Sequence, residues 1–331
     1  MTLTQILFLF SGTALVSFFA TWFILKILKR RGIFDTPNER SSHTKPTPRG
    51  GGLAVILVSL GAWAISLNNT LNTYQEIFIA TFFLIIISWI DDIKNLSAWI
   101  RLLSQFLAVG LVFWLMPAPN PYFHGIFPVW LDTFIAFLIW VWFINLFNFM
   151  DGIDGISAIE ASSIGLGIFI LMILGIIHLT YGSLGLIIGA SSIGFIYWNW
   201  QPAKVFLGDV GSIPLGFLIG WLLLQILSTS HWPVAIILPL YYLADASITL
   251  IRRMWHNERL WKAHRQHFYQ QATERGLSHS SVSILIGGTN LLLIGLAILS
   301  LVQPLAALLC SFIIVGGLLL ILRGSKFGGM S

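Results

Sequence analysis

Long, uninterrupted apolar runs dominate this sequence and leave few folds open to it. A helix that crosses a lipid bilayer needs about 20 mostly apolar residues. About eleven runs approach that length: Leu3–Leu28, Gly51–Leu67, Glu76–Ile90, Ile100–Met116, Val129–Phe149, Ala158–Ile177, Ser183–Trp198, Ser212–Leu227, Pro233–Leu250, Val282–Leu301 and Leu305–Leu322. Only 9% of the residues are charged, against roughly 25% in soluble domains. We therefore expect an all-α, polytopic integral membrane protein with one transmembrane domain over residues 1–331, which excludes a soluble enzyme or a nucleic-acid-binding module.

The 18 lysine and arginine residues lie in or beside alternate connections between these runs. The even-numbered connections carry none of them. Because lysine and arginine favour the cytoplasmic side of a membrane, this segregation predicts an outside N-terminus and a cytoplasmic C-terminus. The net charge of +5 then reflects membrane topology, and we expect no nucleic-acid partner.

Aspartates gather at the inner ends of the predicted spans. They are Asp91, Asp92, Asp151, Asp154, Asp209 and Asp245. A carboxylate near the membrane is costly unless it is paired, hydrated or bound to metal. Oxygen ligands without cysteine favour Mg²⁺, with Mn²⁺ as the other choice. Ion pairs with neighbouring lysine and arginine, or simple helix ends, are the alternative explanation.

Two acidic motifs follow the third and fifth runs. In the pair Asp91-Asp92, one carboxylate can hold a metal while the other accepts a proton, although a solvated helix end has the same pattern. In the segment from Asn148 to Gly155, which reads NFMDGIDG, the glycines allow a tight turn. Asp151 and Asp154 are three residues apart and can face one ligand. A helix cap with a tight turn is the plainer reading of this segment.

A glycine-bracketed acid precedes the eighth run. Gly208 and Gly211 flank Asp209, directly before a helix expected to start near Ser212. Such a turn presents free N–H groups to phosphate, and an aspartate there can bind a bridging metal. Lys204 adds positive charge and Phe206 offers an aromatic face for a base. The plainer reading is a glycine-lined turn that Ser212 caps.

Basic residues mark the longest inner loop and the first one. His264, Arg265 and His267 stand close together in HRQHFYQ and look like an anion clamp, whereas a zinc site lacks further ligands nearby. In the first loop, Lys45 and Arg49 could reach the site, or the loop could be a rigid connector. The catalytic cytoplasmic loops are thus expected at 29–50, 91–100, 150–157, 199–211 and 251–281.

The ordered motifs resemble one enzyme family. PRGGG, the DD pair, NxxNxxDGIDG, NxxPAxVFLGDVGS and HRxH occur in the order found in the polyprenyl-phosphate N-acetylhexosamine-1-phosphate transferases. That family includes phospho-N-acetylmuramoyl-pentapeptide transferase and the enzymes that start O-antigen and other cell-envelope polysaccharides. The HRQHFYQ element is more similar to the O-antigen-initiating subgroup than to the pentapeptide transferases.

The resemblance implies a reaction and a set of roles. N-acetylhexosamine 1-phosphate would pass from a UDP-sugar to undecaprenyl or another polyprenyl phosphate, releasing UMP, at the cytoplasmic face of a bacterial inner membrane. Asp209 would bind Mg²⁺, Asp91 would deprotonate the lipid phosphate, and Asp92 would assist the metal region. The substrate contacts would come from Lys45, Asn148, Asp151, Asp154, Gly155, Asn199, Lys204, Phe206, Gly208, Ser212, His264, Arg265 and His267, with Asn199 and Phe206 at the uracil.

Other readings stay open at this point. A transporter of an anionic metabolite is the strongest alternative from a different class, although transporters usually place ionisable groups at the bilayer midplane. An intramembrane prenyltransferase would want DxxxD repeats, which the aspartate motifs do not provide. Within the family, a pentapeptide transferase is the alternative. A homodimer is plausible for this family.

Overall fold

The fold is almost entirely α-helical. The computed structural model describes residues 2–37, 45–116, 120–258 and 264–324. Within them, thirteen α-helices follow in order: α1 Leu3–Arg31, α2 Gly52–Leu67, α3 Gln75–Lys94, α4 Ala98–Leu115, α5 Val129–Phe149, α6 Ile156–Ile173, α7 Leu179–Asn199, α8 Asp209–Leu227, α9 Trp232–Ile237, α10 Leu240–Trp255, α11 Phe268–Glu274, α12 His279–Leu299 and α13 Pro304–Arg323. A 3₁₀ helix, Asn68–Tyr74, joins α2 to α3, and Phe34–Asp35 (β1) pairs antiparallel with Thr47–Pro48 (β2).

Eight of these helices are long and apolar enough to cross a membrane: α1, α4, α5, α6, α7, α8, α12 and α13. This agrees with the predicted polytopic membrane protein. In the described residues, fewer helices meet this criterion of length and apolar composition than the eleven or so predicted spans. α2 has only 16 residues, and α3 carries Glu76 in its first turn and Asp91, Asp92 and Lys94 in its last.

The ninth predicted span, Pro233–Leu250, is not one helix. It divides at Leu238 and Pro239 into α9 and α10. Proline has no N–H to donate and its ring crowds the carbonyl four residues earlier, so a helix does not run through it undisturbed. The predicted loop 251–281 likewise contains ordered structure, because α11 forms within it.

Helix α8 lies at the centre of the fold. Nearly all of its side chains are buried, and it packs against α2, α3 and α5. By contrast, α1 buries only a stripe at Thr13, Ser17, Thr21, Leu25 and Leu28, with Ser17 Oγ donating to the carbonyl of Ser191 in α7. The apolar remainder of α1 is exposed, as expected for a helix that faces lipid.

Helices α6 and α7 approach each other through glycine. A Cβ added at Gly165 would lie 2.4 Å from the carbonyl oxygen of Gly185 and 2.8 Å from the nitrogen of Gly189. Small residues let the backbones of membrane helices pack this closely. The close approach fixes where α6 begins and α7 ends, which is where two acidic motifs lie.

The first connection is anchored to the one before α8. The N–H of Phe206 donates to the carbonyl of Pro48 (2.8 Å), and the N–H of Gly51 donates to the carbonyl of Phe206 (2.8 Å). Arg49 and Phe206 form an isolated parallel bridge. The backbone of the PRGGG segment is thereby held against the turn that carries Asp209.

Candidate active site

Three aspartates and two arginines form one cluster at the N-terminus of α8, beside the PRGGG segment. Arg49 places Nε 2.7 Å from Asp92 Oδ1 and Nη2 2.8 Å from Asp209 Oδ1. Arg101, in the first turn of α4, places Nη1 3.3 Å from Asp209 Oδ2 and 3.5 Å from Asp91 Oδ2. With all five groups ionised, three negative charges face two positive ones. A single bound proton or cation would balance these charges.

Asp92 caps the N-terminus of α8 from another helix. Its Oδ1 accepts the N–H of Asp209 and its Oδ2 accepts the N–H of Val210, both at 3.0 Å. Its side chain is fully buried. Gly208, with φ of 76°, permits this approach, since a Cβ there would lie 2.7 Å from Asp92 Oδ2. Asp92 is thus a positioning residue for Asp209, and its predicted role at the metal stays a prediction.

Asn148 holds Asp209 from the side. Its Nδ2 donates to Asp209 Oδ1 (3.0 Å) and to Ser212 Oγ (2.8 Å), while Ser212 Oγ donates to the carbonyl of Gly208 (3.2 Å). The sequence predicted that α8 would start near Ser212. It begins earlier, at Asp209, because the Asp92 carboxylate caps its first N–H groups. Both predicted polar residues are therefore at the site, where they orient a carboxylate.

The DGIDG turn adds further polar groups to the site. Burial raises the pKa of Asp151 from its ordinary value of 3.8 to about 7. Asp154 is buried, its Oδ2 accepts the N–H of Ala203 (3.1 Å), and its Oδ1 lies 3.4 Å from His279 Nδ1. Gly155 has φ of 81°, which favours glycine, and its N–H donates to Asn199 Oδ1 (2.9 Å).

Asn199 therefore supports the turn. Its Nδ2 donates to the carbonyl of Val205 (3.0 Å) while its Oδ1 accepts the N–H of Gly155. The side chain is buried and joins the end of α7 to the start of α6. Its amide lines the cleft but both of its polar atoms already bind backbone.

A polar cleft of about 520 Å³ opens beside the cluster. It is lined by residues from five connections, among them Asp35, Arg49, Asp92, Asn148, Asp151, Asp154, Asn199, Phe206, Gly208, Asp209 and His279. Most of the predicted acidic residues thus share one cavity. Two of them do not line it. Asp91 lies outside the cleft, where its Oδ1 accepts the N–H of Leu96 (2.6 Å), and the buried carboxylate of Asp245 accepts the N–H groups of Phe268 and Tyr269 and caps α11.

A second cavity of about 470 Å³ lies next to the first. Leu102, Trp142, Phe149, Ile213 and Leu250 give it apolar walls, and Arg101, His264, His267 and Gln270 lie among them. We call it the apolar groove. Asn148 and Gln270 line both cavities. The groove and the cleft therefore meet beside Asp209, which Asn148 contacts.

The HRQH segment is split between two environments. His267 Nδ1 lies 3.1 Å from Asp245 Oδ1, and the His264 ring stacks on it at 5.0 Å between centroids. Burial, followed by the charges of His267 and Arg253, lowers the pKa of His264 to about 4, so this ring is neutral at pH 7. Arg265 pairs with Glu274 (Nε to Oε1, 3.2 Å) and lines neither cavity. Two of the three predicted clamp residues therefore line the groove.

Two predicted lysines lie outside both cavities. Lys45 is exposed. Lys204 is also exposed, and its Nζ makes a cation–π contact with Tyr197, 4.1 Å from the ring centroid. Arg259 and Lys262, two further basic residues of the predicted loop 251–281, lie outside the described residues.

Arg101 and His279 were not assigned to the site from sequence. Arg101 lies ten residues after Asp91, at the start of the next helix. The short distance in sequence between this basic residue and the acidic pair could have indicated that Arg101 belongs to the site. Arg49 was considered only alongside Lys45, yet it makes the two shortest contacts of the cluster. His279 had no motif around it, because its partner Asp154 is 125 residues away.

The donor set suits a metal that relies on few protein ligands. Within the described part of the chain, no three His, Cys, Asp or Glu side chains are grouped to hold a metal ion. Mg²⁺ is usually bound by one or two carboxylates together with substrate phosphates and water. Asp209 lines the cleft and supplies such a carboxylate, whereas the oxygens of Asp92 already bind α8 and Asp91 Oδ1 accepts the N–H of Leu96. These residues therefore fit Mg²⁺ together with a phosphorylated ligand.

Comparisons with known proteins point to one kind of enzyme. A family model described as glycosyl transferase family 4 matches residues 74–227, which include Asp91, Asp92, Asn148 and Asp209. A probable undecaprenyl-phosphate N-acetylglucosaminyl 1-phosphate transferase of Bacillus subtilis (strain 168) is 30% identical over 286 residues, 82% of this chain and 79% of the relative. The undecaprenyl-phosphate alpha-N-acetylglucosaminyl 1-phosphate transferase of Escherichia coli O157:H7 is 28% identical over 320 residues, covering 90% and 83%. A phospho-N-acetylmuramoyl-pentapeptide-transferase of Lactococcus lactis subsp. cremoris (strain MG1363) is 27% identical over 227 residues, covering 62% and 66%.

Proposed function

The chain belongs to glycosyl transferase family 4, among the polyprenyl-phosphate N-acetylhexosamine-1-phosphate transferases, and from this premise we propose that it transfers N-acetylhexosamine 1-phosphate from a UDP-sugar to undecaprenyl phosphate. The acceptor class and the transferred group follow from the family. We propose in addition that the donor is a UDP-sugar, that the reaction depends on Mg²⁺ and that the product starts a cell-envelope polysaccharide. The product would be a lipid-linked sugar pyrophosphate, with UMP as the leaving group.

The meeting of the polar cleft and the apolar groove carries this proposal. Asp209 contacts Arg49, which lines the cleft, and Arg101, which lines the groove. A nucleotide sugar is a polar, highly charged ligand and suits the cleft. A polyprenyl chain is apolar and suits the groove, with its phosphate toward Arg101. The two phosphorus-bearing groups would then meet at the acidic cluster.

Charge balance explains the residues that the cluster contains. Both substrates are polyanions, so positive groups must offset their repulsion as they approach. Arg49 and Arg101 supply that charge, and each would exchange carboxylate contacts for phosphate contacts when substrate binds. Mg²⁺, when bound by Asp209, would neutralise phosphate charge and orient the pyrophosphate.

The reaction is a displacement at phosphorus. An oxygen of the lipid phosphate attacks the β-phosphorus of the UDP-sugar, a new P–O bond forms, and the bond between the β-phosphorus and the bridging oxygen breaks as UMP leaves. Asp91 would take the proton of a monoprotonated lipid phosphate. Asp92 and Asn148 would keep the Asp209 carboxylate in place throughout.

The nucleoside end of the donor would lie toward the DGIDG turn. Phe206 lines the cleft and offers an aromatic face on which a pyrimidine could stack. Asp154 and His279 provide polar atoms beyond it, and Asn199 holds the turn that presents them. His264 and His267 would then face the lipid phosphate rather than the nucleotide.

The wider setting stays at the level of prediction. A multi-pass protein of a bacterial inner membrane, with this site facing the cytoplasm, would meet UDP-sugars where they are made. The HRQHFYQ element favours a product that starts O-antigen or another envelope polysaccharide. A homodimer is also a prediction.

Release of UMP by purified full-length protein tests the proposal. The protein would be incubated with Mg²⁺ and undecaprenyl phosphate and with each of several UDP-N-acetylhexosamines, including UDP-N-acetylmuramoyl-pentapeptide, with and without lipid. We expect UMP from one donor, dependent on both lipid and Mg²⁺, and none from Asp209→Asn. Folded protein that releases no UMP from any donor, but accumulates an anionic metabolite in vesicles, would favour a transporter.

A further inference from the structure

A buried acid lies within α6, one turn beyond the DGIDG segment. Glu160 is fully buried, and its only hydrogen bond among the described residues comes from Asn290 of α12, whose Nδ2 donates to Oε2 at 2.8 Å. Glu160 Oε1 and Asn290 Oδ1 are both buried without a hydrogen-bond partner in that part of the chain. One residue pair thus contains one satisfied contact and two orphaned acceptor atoms.

A proton on Glu160 Oε1 would give both unpaired oxygens a hydrogen-bond partner. An ionised carboxylate inside the membrane is costly, and no described Lys, Arg or His forms an ion pair with Glu160. Protonated at Oε1, the acid gains a donor that can bind the amide oxygen of the same asparagine. Tyr242 of α10 is close enough to Glu160 to interact electrostatically with it, and its hydroxyl lies 3.2 Å from Ser157 Oγ.

The Glu160–Asn290 contact belongs to a series that joins α12 to the wall of the cleft. His279, Ser283 and Asn290 are four and seven residues apart and lie on one face of α12. His279 Nδ1 lies 3.4 Å from Asp154 Oδ1, and Ser283 Oγ donates to the carbonyl of Asp154 at 2.9 Å. Each contact holds the segment between Asp154 and Glu160, which contains the turn at Gly155.

We propose that Glu160 is a protonated, neutral acid that forms a reciprocal pair of hydrogen bonds with Asn290, and that this pair braces the DGIDG wall of the cleft through α12. Glu160 and Asn290 are positioning residues, since neither lines the cleft or the groove. Charge on Glu160 would break the pair and loosen α6 against α12. The observation behind this assignment is the two orphaned oxygens of a single buried pair.

Infrared difference spectroscopy tests the proton directly. Full-length wild-type protein and Glu160→Gln would be compared in lipid nanodiscs at pH 7, in water and in D₂O. We expect a C=O band of a protonated carboxylic acid that shifts in D₂O and is missing from Glu160→Gln. A difference spectrum with only carboxylate bands at this position would overturn the proposal.

Two variants and a neighbouring control test the pairing. Glutamine can form the same reciprocal pair with Asn290, so Glu160→Gln should keep the wild-type Tm. Asn290→Leu removes both partners of the acid and should lower Tm by roughly 3–6 °C. Thr289→Val is the control and should leave Tm unchanged, because among the described residues the Thr289 hydroxyl donates to the carbonyl of Leu285 in its own helix. A loss in Glu160→Gln as large as in Asn290→Leu would point to a bound cation and refute the proton.

The link to the cleft is tested by kinetics, and this arm alone rests on the proposed function. Asn290→Leu should raise KM for the UDP-sugar at least threefold more than KM for the lipid, and Glu160→Gln should not. Equal rises for both substrates would refute the brace. The infrared and thermal results do not depend on catalysis, so failure of the proposed function would leave them readable.

Discussion

Replacing Asp92 with asparagine separates a positioning role from metal binding. The fully buried carboxylate accepts two backbone N–H groups of α8 at 3.0 Å and Arg49 Nε at 2.7 Å. Asparagine keeps the shape and one acceptor oxygen. Its amide nitrogen would face one of the two N–H donors, and the ion pair with Arg49 would be lost.

The magnitude follows from those contacts. A hydrogen bond to a charged group contributes roughly 1.5–3 kcal/mol, and a buried N–H left unpaired costs roughly 1–3 kcal/mol. Because about a quarter of the Arg49 side chain is exposed, solvent screens the ion pair and its share is small. We expect the free energy of unfolding to fall by about 3–4 kcal/mol, which lowers Tm by roughly 6–8 °C.

The effect on turnover comes through Asp209. Asp92 fixes the first turn of α8, so its replacement shifts the Asp209 carboxylate, and a misplacement near 1 Å costs roughly 10²-fold in rate. The assay is UMP release over a Mg²⁺ titration at saturating donor and lipid. Asp92→Asn should lower kcat by about 10²-fold with its half-saturating Mg²⁺ concentration unchanged. Asp209→Asn should release no UMP at any Mg²⁺ concentration.

One result would refute this reasoning. If Asp92→Asn recovers wild-type kcat at high Mg²⁺, with a half-saturating concentration at least about tenfold higher, the lost interaction is a metal contact worth about 1.4 kcal/mol or more. Asp92 would then be a ligand, as the family resemblance implied, and its capping of α8 would be secondary.

Three further predictions concern single residues. Arg49→Lys keeps the charge but reaches only one of Asp92 and Asp209, so kcat should fall about 10-fold, against 10²–10³-fold for Arg49→Met; equal activities would contradict the bridging role. Burial raises the pKa of Asp151 to about 7, so between pH 4 and 7 the folded state binds more protons than the unfolded state and stability falls as pH rises. Tm measured across that range should be flatter for Asp151→Asn, and parallel curves would contradict the shift. Asp132 accepts the N–H groups of Tyr122 and Phe123 at 2.8 and 2.9 Å, so Asp132→Ala should lower the free energy of unfolding by about 2–4 kcal/mol. Because Asp132 and Asn148 lie at opposite ends of α5, kcat should not change, and a lower kcat in folded protein would contradict this separation.

Some site residues could be placed from the sequence because membrane topology restricts them. Alternate connections of a helical bundle lie on the same side, so the acids after α3 and α5 and before α8 had to approach one another. The glycines of DGIDG and GDVGS marked the turns, and the structure gives Gly155 and Gly208 positive φ values. Both features depend on local chemistry and on connectivity.

Other residues could not be placed in this way. Lys45 and Arg49 have the same charge and are four residues apart, yet only Arg49 lines the cleft. Arg265 stands between two histidines that line the groove, but Glu274 holds it outside. Which partner a flexible charged side chain meets depends on the elements that pack around it, and a linear motif does not contain those elements.

The sequence by itself determined that this chain is a helical membrane protein, since its runs are continuously apolar, whereas the strands of a membrane barrel alternate, and lipid allows only these two ways to satisfy the backbone. It also determined which connections share a side and which residues there are acidic. Only the tertiary structure decided what each acid does: Asp209 faces two arginines, Asp92 caps the helix that carries Asp209, Asp245 caps α11, and Glu160 faces an asparagine inside the bundle. The reason is physical, because a carboxylate takes its role from the donors and charges within a few ångströms, and those come from helices far apart in the chain.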